Sequence, residues 1–157
     1  GSAAGALNLA WYYESGKDQD QAIAFNYYKK SAELNSAEGM FALGRFYDDG
    51  LGTDVNRQEA IKWYLRAADM GYKRAAYRLA YAYDVTFSSD NAAENILLAI
   101  RQGDGQIADE LKSFSPFTRT ALKRSLSRRG LYDGPMDDEI DQPLKSALKN
   151  YKNSYGG

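Results

Sequence analysis

The stretch from Ala37 to Ala75, AEGMFALGRFYDDGLGTDVNRQEAIKWYLRAADMGYKRA, constrains the fold more than any other part of the chain. A run rich in small residues carries Leu43-Gly44 and Phe46-Tyr47. A glycine-bearing loop, Gly50-Leu51-Gly52-Thr53-Asp54, follows, and a second run carries Ala60, Trp63-Tyr64 and Ala67-Ala68 before Gly71. Similar chemistry returns 36 residues away in both directions. Leu7-Asn8 answers to Leu43-Gly44 and to Leu79-Ala80, Trp11 to Tyr47 and Tyr83, and Tyr27-Tyr28 to Trp63-Tyr64. Recurrence at such a period marks stacked helix pairs, each too thin to bury its own apolar face and stable only against its neighbours.

The third copy needs a loop shorter by four residues, after which Ala92 meets Ala60, Ala99-Ile100 meets Ala67-Ala68 and Gly103 meets Gly71. Asn35 and Gly71 stand where helices end in left-handed caps. Ser89 or Asp90 is expected to cap the helix after the shortened loop. A short helix from near Gln106 to Ser115-Pro116 reads as a capping half-repeat.

The middle copy shows LG-x-x-Y, G-x-G, A-x-x-W-Y and A-A-x-x-G. On these motifs residues 3–114 resemble Sel1-like repeats, relatives of tetratricopeptide repeats. The resemblance implies an all-α fold, a right-handed α/α superhelical solenoid that serves as an adaptor for protein partners.

From Ser115 the period breaks. Ser115-Pro116 is a helix start, with Ser as N-cap and Pro at the first helical position. Phe117, Ala121, Leu122 and Leu126 are expected to make an apolar face that runs until Gly130. A compact loop, Gly130-Leu131-Tyr132-Asp133-Gly134-Pro135-Met136-Asp137, follows. A further helix opens at Pro143 with Leu144, Ala147, Leu148 and Tyr151 inward. Residues 115–155 resemble an incomplete copy of the helical peptidoglycan-binding domain found appended to envelope proteins. The matching positions are Leu126, Gly130, Tyr132, Asp133, Gly134, Pro135, Asp137, Ala147, Leu148 and Tyr151. Asp138 replaces that family's second loop glycine, Lys123 and Lys152 replace its two glutamines, and Leu144 replaces its threonine. The pairing of the two modules resembles the periplasmic region of polar organelle development proteins (PodJ-type polar localisation factors). That resemblance implies a domain of a larger membrane-anchored bacterial protein.

Composition narrows the chemistry. The chain has no Cys and no His. It therefore has no disulfides, zinc-thiolate sites or Ser-His-Asp triads, and lacks the usual general base near neutral pH. No metal, no cofactor and no enzymatic activity are expected. The net charge of −1 argues against nucleic acid. No apolar run reaches the length of roughly 18 residues that a spanning helix needs, so no membrane insertion is expected within this sequence. Gly1-Ser2 reads as the remnant of a cleaved tag, so the chain is expected to be a piece of a longer protein. Ser146-Ala147-Leu148-Lys149 and Ser89-Asp90-Asn91 imitate motifs of penicillin-binding enzymes. They occur in the reverse order and without K-T-G, and read as a helix face and a helix cap.

Two sets of residues are candidates for binding. Phe41 and Arg45, with Tyr77 and Tyr81, fall on the first helices of their pairs at helical spacing. They are either packing residues or a partner-binding concave face, since aromatics and Arg dominate binding hot spots. Tyr132, Asp133, Asp137 and Arg128 are the peptidoglycan-contact candidates that the tail's resemblance implies; the alternative is a turn held by its own carboxylates. Arg119, Lys123, Arg124, Arg128 and Arg129 precede five acidic residues, Asp133 to Asp141, and are expected to pair locally or stand solvated.

The expected function is that of a non-catalytic periplasmic scaffold or localisation domain. Its solenoid would bind a protein partner, and its tail would contact peptidoglycan or descend from a module that does. One alternative is a targeting or regulatory segment of a cell-wall-modifying enzyme whose catalytic domain lies elsewhere. Another is a cytosolic (cytoplasmic) Sel1-type adaptor.

Overall fold

The computed structural model describes residues 1–155, and among them it contains nine α-helices, one short 3-10 turn and no strand. The chain forms two compact units, one ending at Ala75 and the other starting at Ala76.

The first unit holds two helix pairs: α1 (Ala3–Ser15), α2 (Gln21–Glu33), α3 (Ala37–Asp49) and α4 (Arg57–Asp69). Each helix packs on the next. All four open on a side-chain cap. The Ser2, Asp20, Ser36 and Asn56 side chains accept the amide N–H of Gly5, Ile23, Gly39 and Glu59, so one otherwise orphaned donor per helix is satisfied. The expected left-handed caps are present at Asn35 (φ 64°) and Gly71 (φ 81°). Beyond each, the chain turns back by two amide bonds to the last helical turn, Ser36 N to Ser31 O and Tyr72 N to Ala67 O among them.

Ala24, Tyr28, Ala32, Leu43, Phe46, Ala60 and Tyr64 have no exposed surface. Small residues set the spacing. A methyl group at Gly44 would come within 2.7 Å of the Tyr64 ring, so only glycine admits that aromatic against α3.

In the second unit α5 (Arg74–Val85, which begins just before the break) is followed by α6 (Ser89–Arg101) and α7 (Gln106–Asp109). A 3-10 turn (Leu111–Ser113), α8 (Pro116–Arg128) and α9 (Gln142–Tyr155) complete it. One core joins Ala80, Ile96, Leu97, Ile107, Leu111, Phe114, Leu122, Leu126, Leu144, Leu148 and Tyr151. The division of the sequence into 3–114 and 115–155 follows the repeat period. The compact units follow packing, because α8 and α9 bury their apolar stripes on α6 of the third repeat.

Two local expectations need correction. The cap of α6 falls on Ser88, just ahead of Ser89 and Asp90, and its side chain makes no capping bond. Phe117 is 72% exposed. The buried stripe of α8 runs through Thr118, Ala121, Leu122, Ser125 and Leu126. One residue before Thr118, about 100° around the helix, Phe117 faces solvent.

Candidate functional site

Phe41 is buried against Tyr72 and Tyr64, with ring centroids 4.8 and 5.6 Å away, and the Arg74 guanidinium lies 5.5 Å from its own ring. Arg45 pairs with Glu14, whose carboxylate also accepts the Tyr28 hydroxyl. Burial, reinforced by that carboxylate, pushes the Tyr28 phenol far up. Both candidates of the first unit thus have intramolecular partners.

Tyr77 and Tyr81 of the second unit donate to one carboxylate oxygen, Oε2 of Glu110, at 2.6 and 2.7 Å. Tyr81 also stacks on Phe114 at 4.3 Å. The segment after α7 therefore covers these rings. The Tyr77 hydroxyl, with Tyr81 and Gln106, holds the Glu110 carboxyl below its ordinary value. Asp84, one turn further along α5, accepts both the amide and the hydroxyl of Ser115 (3.1 and 2.6 Å), which in turn caps α8.

The tail loop is organised by Lys123, which pairs locally with acidic residues of the loop and does so from a buried position. The Lys123 side chain is wholly buried, and its ammonium donates to Asp137 at 2.6 Å and Asp141 at 3.0 Å. Tyr132, also buried, lies with its ring 5.4 Å from that ammonium, and its hydroxyl is within hydrogen-bond distance of Pro135 O (2.8 Å) and Asp141 Oδ2 (3.0 Å). Asp141 accepts from Leu144 N at 2.7 Å, and so starts α9. Arg119 donates to the backbone oxygen and the carboxylate of Asp138 at 2.8 and 2.6 Å.

Burial opposes the Lys123 charge, but its bonds to Asp137 and Asp141 outweigh that and raise its pKa. Lys123 in turn lowers that of Asp137. For Asp141, burial works upward, and the Leu144 amide with Lys123 and Tyr132 overcomes it. Of the four tail candidates, Tyr132 and the half-exposed Asp137 are thus joined in this network; Asp133 and Arg128 are exposed and outside it. The basic face of α8 divides its partners. Arg119 and Lys123 meet the loop; Arg124 and Arg129 reach back to Asp90 and Glu94 of α6.

An unanticipated cleft of about 650 Å³ lies between the start of α6 and α8. Phe87 and Phe117 stand beside it, 88% and 72% exposed, with Thr120 and Arg124 on the α8 side. Phe87 sits at φ 59°, just past the end of α5. Its amide meets Asp84 O at 3.1 Å and the Ser88 amide meets Tyr83 O at 2.8 Å, the same turn that Gly71 makes after α4. A phenylalanine therefore holds a left-handed position where glycine is the unstrained choice. The loss of glycines from the third loop was visible in the sequence; that an aromatic takes their conformation was not.

The Sel1 repeat family model matches residues 3–36, 37–72 and 73–85, more than half of the chain. Chitin synthase regulator SKT5 of Saccharomyces cerevisiae is 36% identical over 83 residues, which cover 50% of this chain and 12% of that protein. DAP3-binding cell death enhancer 1 of Rattus norvegicus is 31% identical over 108 residues, or 69% of this chain and 18% of that one. The chain thus spans less than a fifth of either relative. A crystal structure of a Sel1 repeat protein from Oxalobacter formigenes superposes with a TM-score of 0.67 at 24% identity, over 99% of this chain and 59% of that one, and shows the shared fold.

Proposed function

We propose that this chain, which belongs to the Sel1 repeat family, is a non-catalytic scaffold domain of the bacterial periplasm that holds a protein partner and contacts peptidoglycan. Sel1 repeats generally mediate protein interactions. The observation that carries the partner-binding reading is the strained, solvent-exposed Phe87 opposite Phe117. Strain at an exposed aromatic contributes nothing to folding, and such strain concentrates at functional sites. The cleft between the two rings is where the partner docks.

Phe87→Gly relieves the left-handed strain and loses part of that gain to the flexibility of glycine, for a net stabilisation of about 1 kcal/mol. The melting temperature of the second unit should rise by about 4 °C. A photo-crosslinking benzoylphenylalanine at position 87, in the cells from which the chain derives, should trap one protein species that the same probe at the exposed Leu65 does not. A destabilised Phe87→Gly variant, or adducts that are the same from both positions, would reject the cleft as the docking site.

Wall contact falls to Asp133 and Arg128, because Tyr132 and Asp137 are engaged within the fold. The whole chain should co-sediment with purified sacculi. Asp133→Ala or Arg128→Ala alone should weaken that binding about tenfold, the loss of one charge-assisted contact. Retention equal to that of the unaltered chain removes the tail from the wall-binding surface.

A further inference from the structure

A second trough in the second unit shares no lining residue with the Phe87 cleft. Its volume is about 650 Å³. Its lining includes Leu111 and Leu148, almost wholly buried in the core, and the partly buried Ala108 and Ile140, which keep apolar surface open to the trough. Four lysines, Lys112, Lys145, Lys149 and Lys152, line it, against a single carboxylate, Asp109. All four lysines are exposed, and among the described residues none of them lies in an ion pair. This contrasts with Arg119, Lys123 and Arg124 of α8 and Arg129 at its end, each of which has a carboxylate partner. A rim of four lysines against one carboxylate, on a chain of net charge −1, is a local arrangement and not a consequence of composition.

We infer that this trough binds an acidic amphipathic helix of a partner protein, its apolar face on the floor that Ala108 and Ile140 leave open and its carboxylates along the lysine rim. Lys145, Lys149 and Lys152 stand at i, i+4 and i+7 on α9, one stripe about 10 Å long. A partner helix with acidic residues at matching intervals pairs with that stripe along its length, which an isolated anion cannot do. The apolar floor distinguishes such a partner from nucleic acid or free phosphate, which would leave it unfilled. An apolar face laid into a groove with charges at its edges is a recurrent mode of helix recognition, in which the rim charges set partner choice and association rate.

The test uses the full chain and a labelled synthetic helix with Leu on one face and Glu along both flanks. A counterpart carrying Lys in place of Glu and vesicles of phosphatidylglycerol are run beside it. The Glu helix should bind, shift the methyl resonances of Leu111, Ile140 and Leu148, and weaken as salt rises. Lys145→Glu with Lys149→Glu, both at exposed positions, should lower its affinity at least tenfold without changing the melting temperature, while Phe87→Gly should leave it unaltered. Four results would overturn the inference: no binding of the Glu helix, equal binding to the charge-reversed variant, equal binding of the Lys helix, or capture of vesicles but not of the peptide. None of them bears on the Phe87 cleft, so the two sites stand or fall separately.

Discussion

Lys123→Ala should destabilise the second unit by about 3 kcal/mol, measured by urea unfolding at neutral pH. The side chain is wholly buried, so the substitution leaves a cavity where the stem packed and strips Asp137 and Asp141 of their cation. The estimate sits at the lower end of the range for broken buried pairs because the Asp137 side chain is 47% exposed and can rehydrate. The pH profile separates this network from simple packing. Folding lowers the carboxyl pKa of Asp137 and Asp141, so at acid pH the unfolded chain binds more protons than the folded one. Their contribution is complete above the ordinary carboxylate value, about 4, and is lost as pH falls through the lower folded values. Folding raises the Lys123 pKa, so its contribution is complete below about 10.4 and disappears only as pH climbs through the higher folded value. Lys123→Ala should therefore flatten the acid limb of the stability curve. A variant curve running parallel to that of the unaltered chain would mean that the ion pairs add nothing beyond packing.

Gly52→Ala should cost the first unit about 3 kcal/mol, while Gly71→Ala should cost about 1 kcal/mol. Both residues have left-handed backbone, with φ of 64° and 81°. They differ in surroundings. A methyl group at Gly52 would sit 2.2 Å from the Gln21 carbonyl oxygen, backbone that cannot rotate away, whereas nothing lies within 4 Å of one at Gly71. The strain common to both cancels in the comparison, and the remainder measures how closely the second repeat's loop approaches the start of α2. Denaturant midpoints of the two variants read that difference directly; equal losses would show that the loop gives way.

The repeats were legible for a physical reason. A helix pair that relies on its neighbours must present small residues and one aromatic at fixed positions, so Gly44, Tyr64 and Ala67 announce their own packing. The left-handed ends at Asn35 and Gly71 were legible too, since few residues tolerate that conformation. The binding candidates were less so. Phe41, Arg45, Tyr77 and Tyr81 lie at the anticipated helical spacing, but spacing along one helix does not say what the rest of the chain places over it. Glu110 and Phe114, far along the chain from α5, cover Tyr77 and Tyr81.

Lys123, Asp138, Leu144 and Lys152 have separate roles in the fold. Lys123 pairs with Asp137 and Asp141, and Asp138 with Arg119, so that both hold the loop to α8; Leu144 enters the core, and Lys152 joins the rim of the lysine trough.

By itself the sequence determined the all-α character, the period and register of the helix pairs, and the absence of His and Cys chemistry. These follow from local propensity and from spacing that any reader of one strand of text can count. Only the tertiary structure decided that Lys123 is buried, that Phe117 is exposed, that Phe87 takes a glycine's conformation, and that four lysines line one trough with a single carboxylate. Each depends on which distant segment closes over a given helix face, and a charge or a ring changes its meaning with the dielectric and the neighbours that closure supplies.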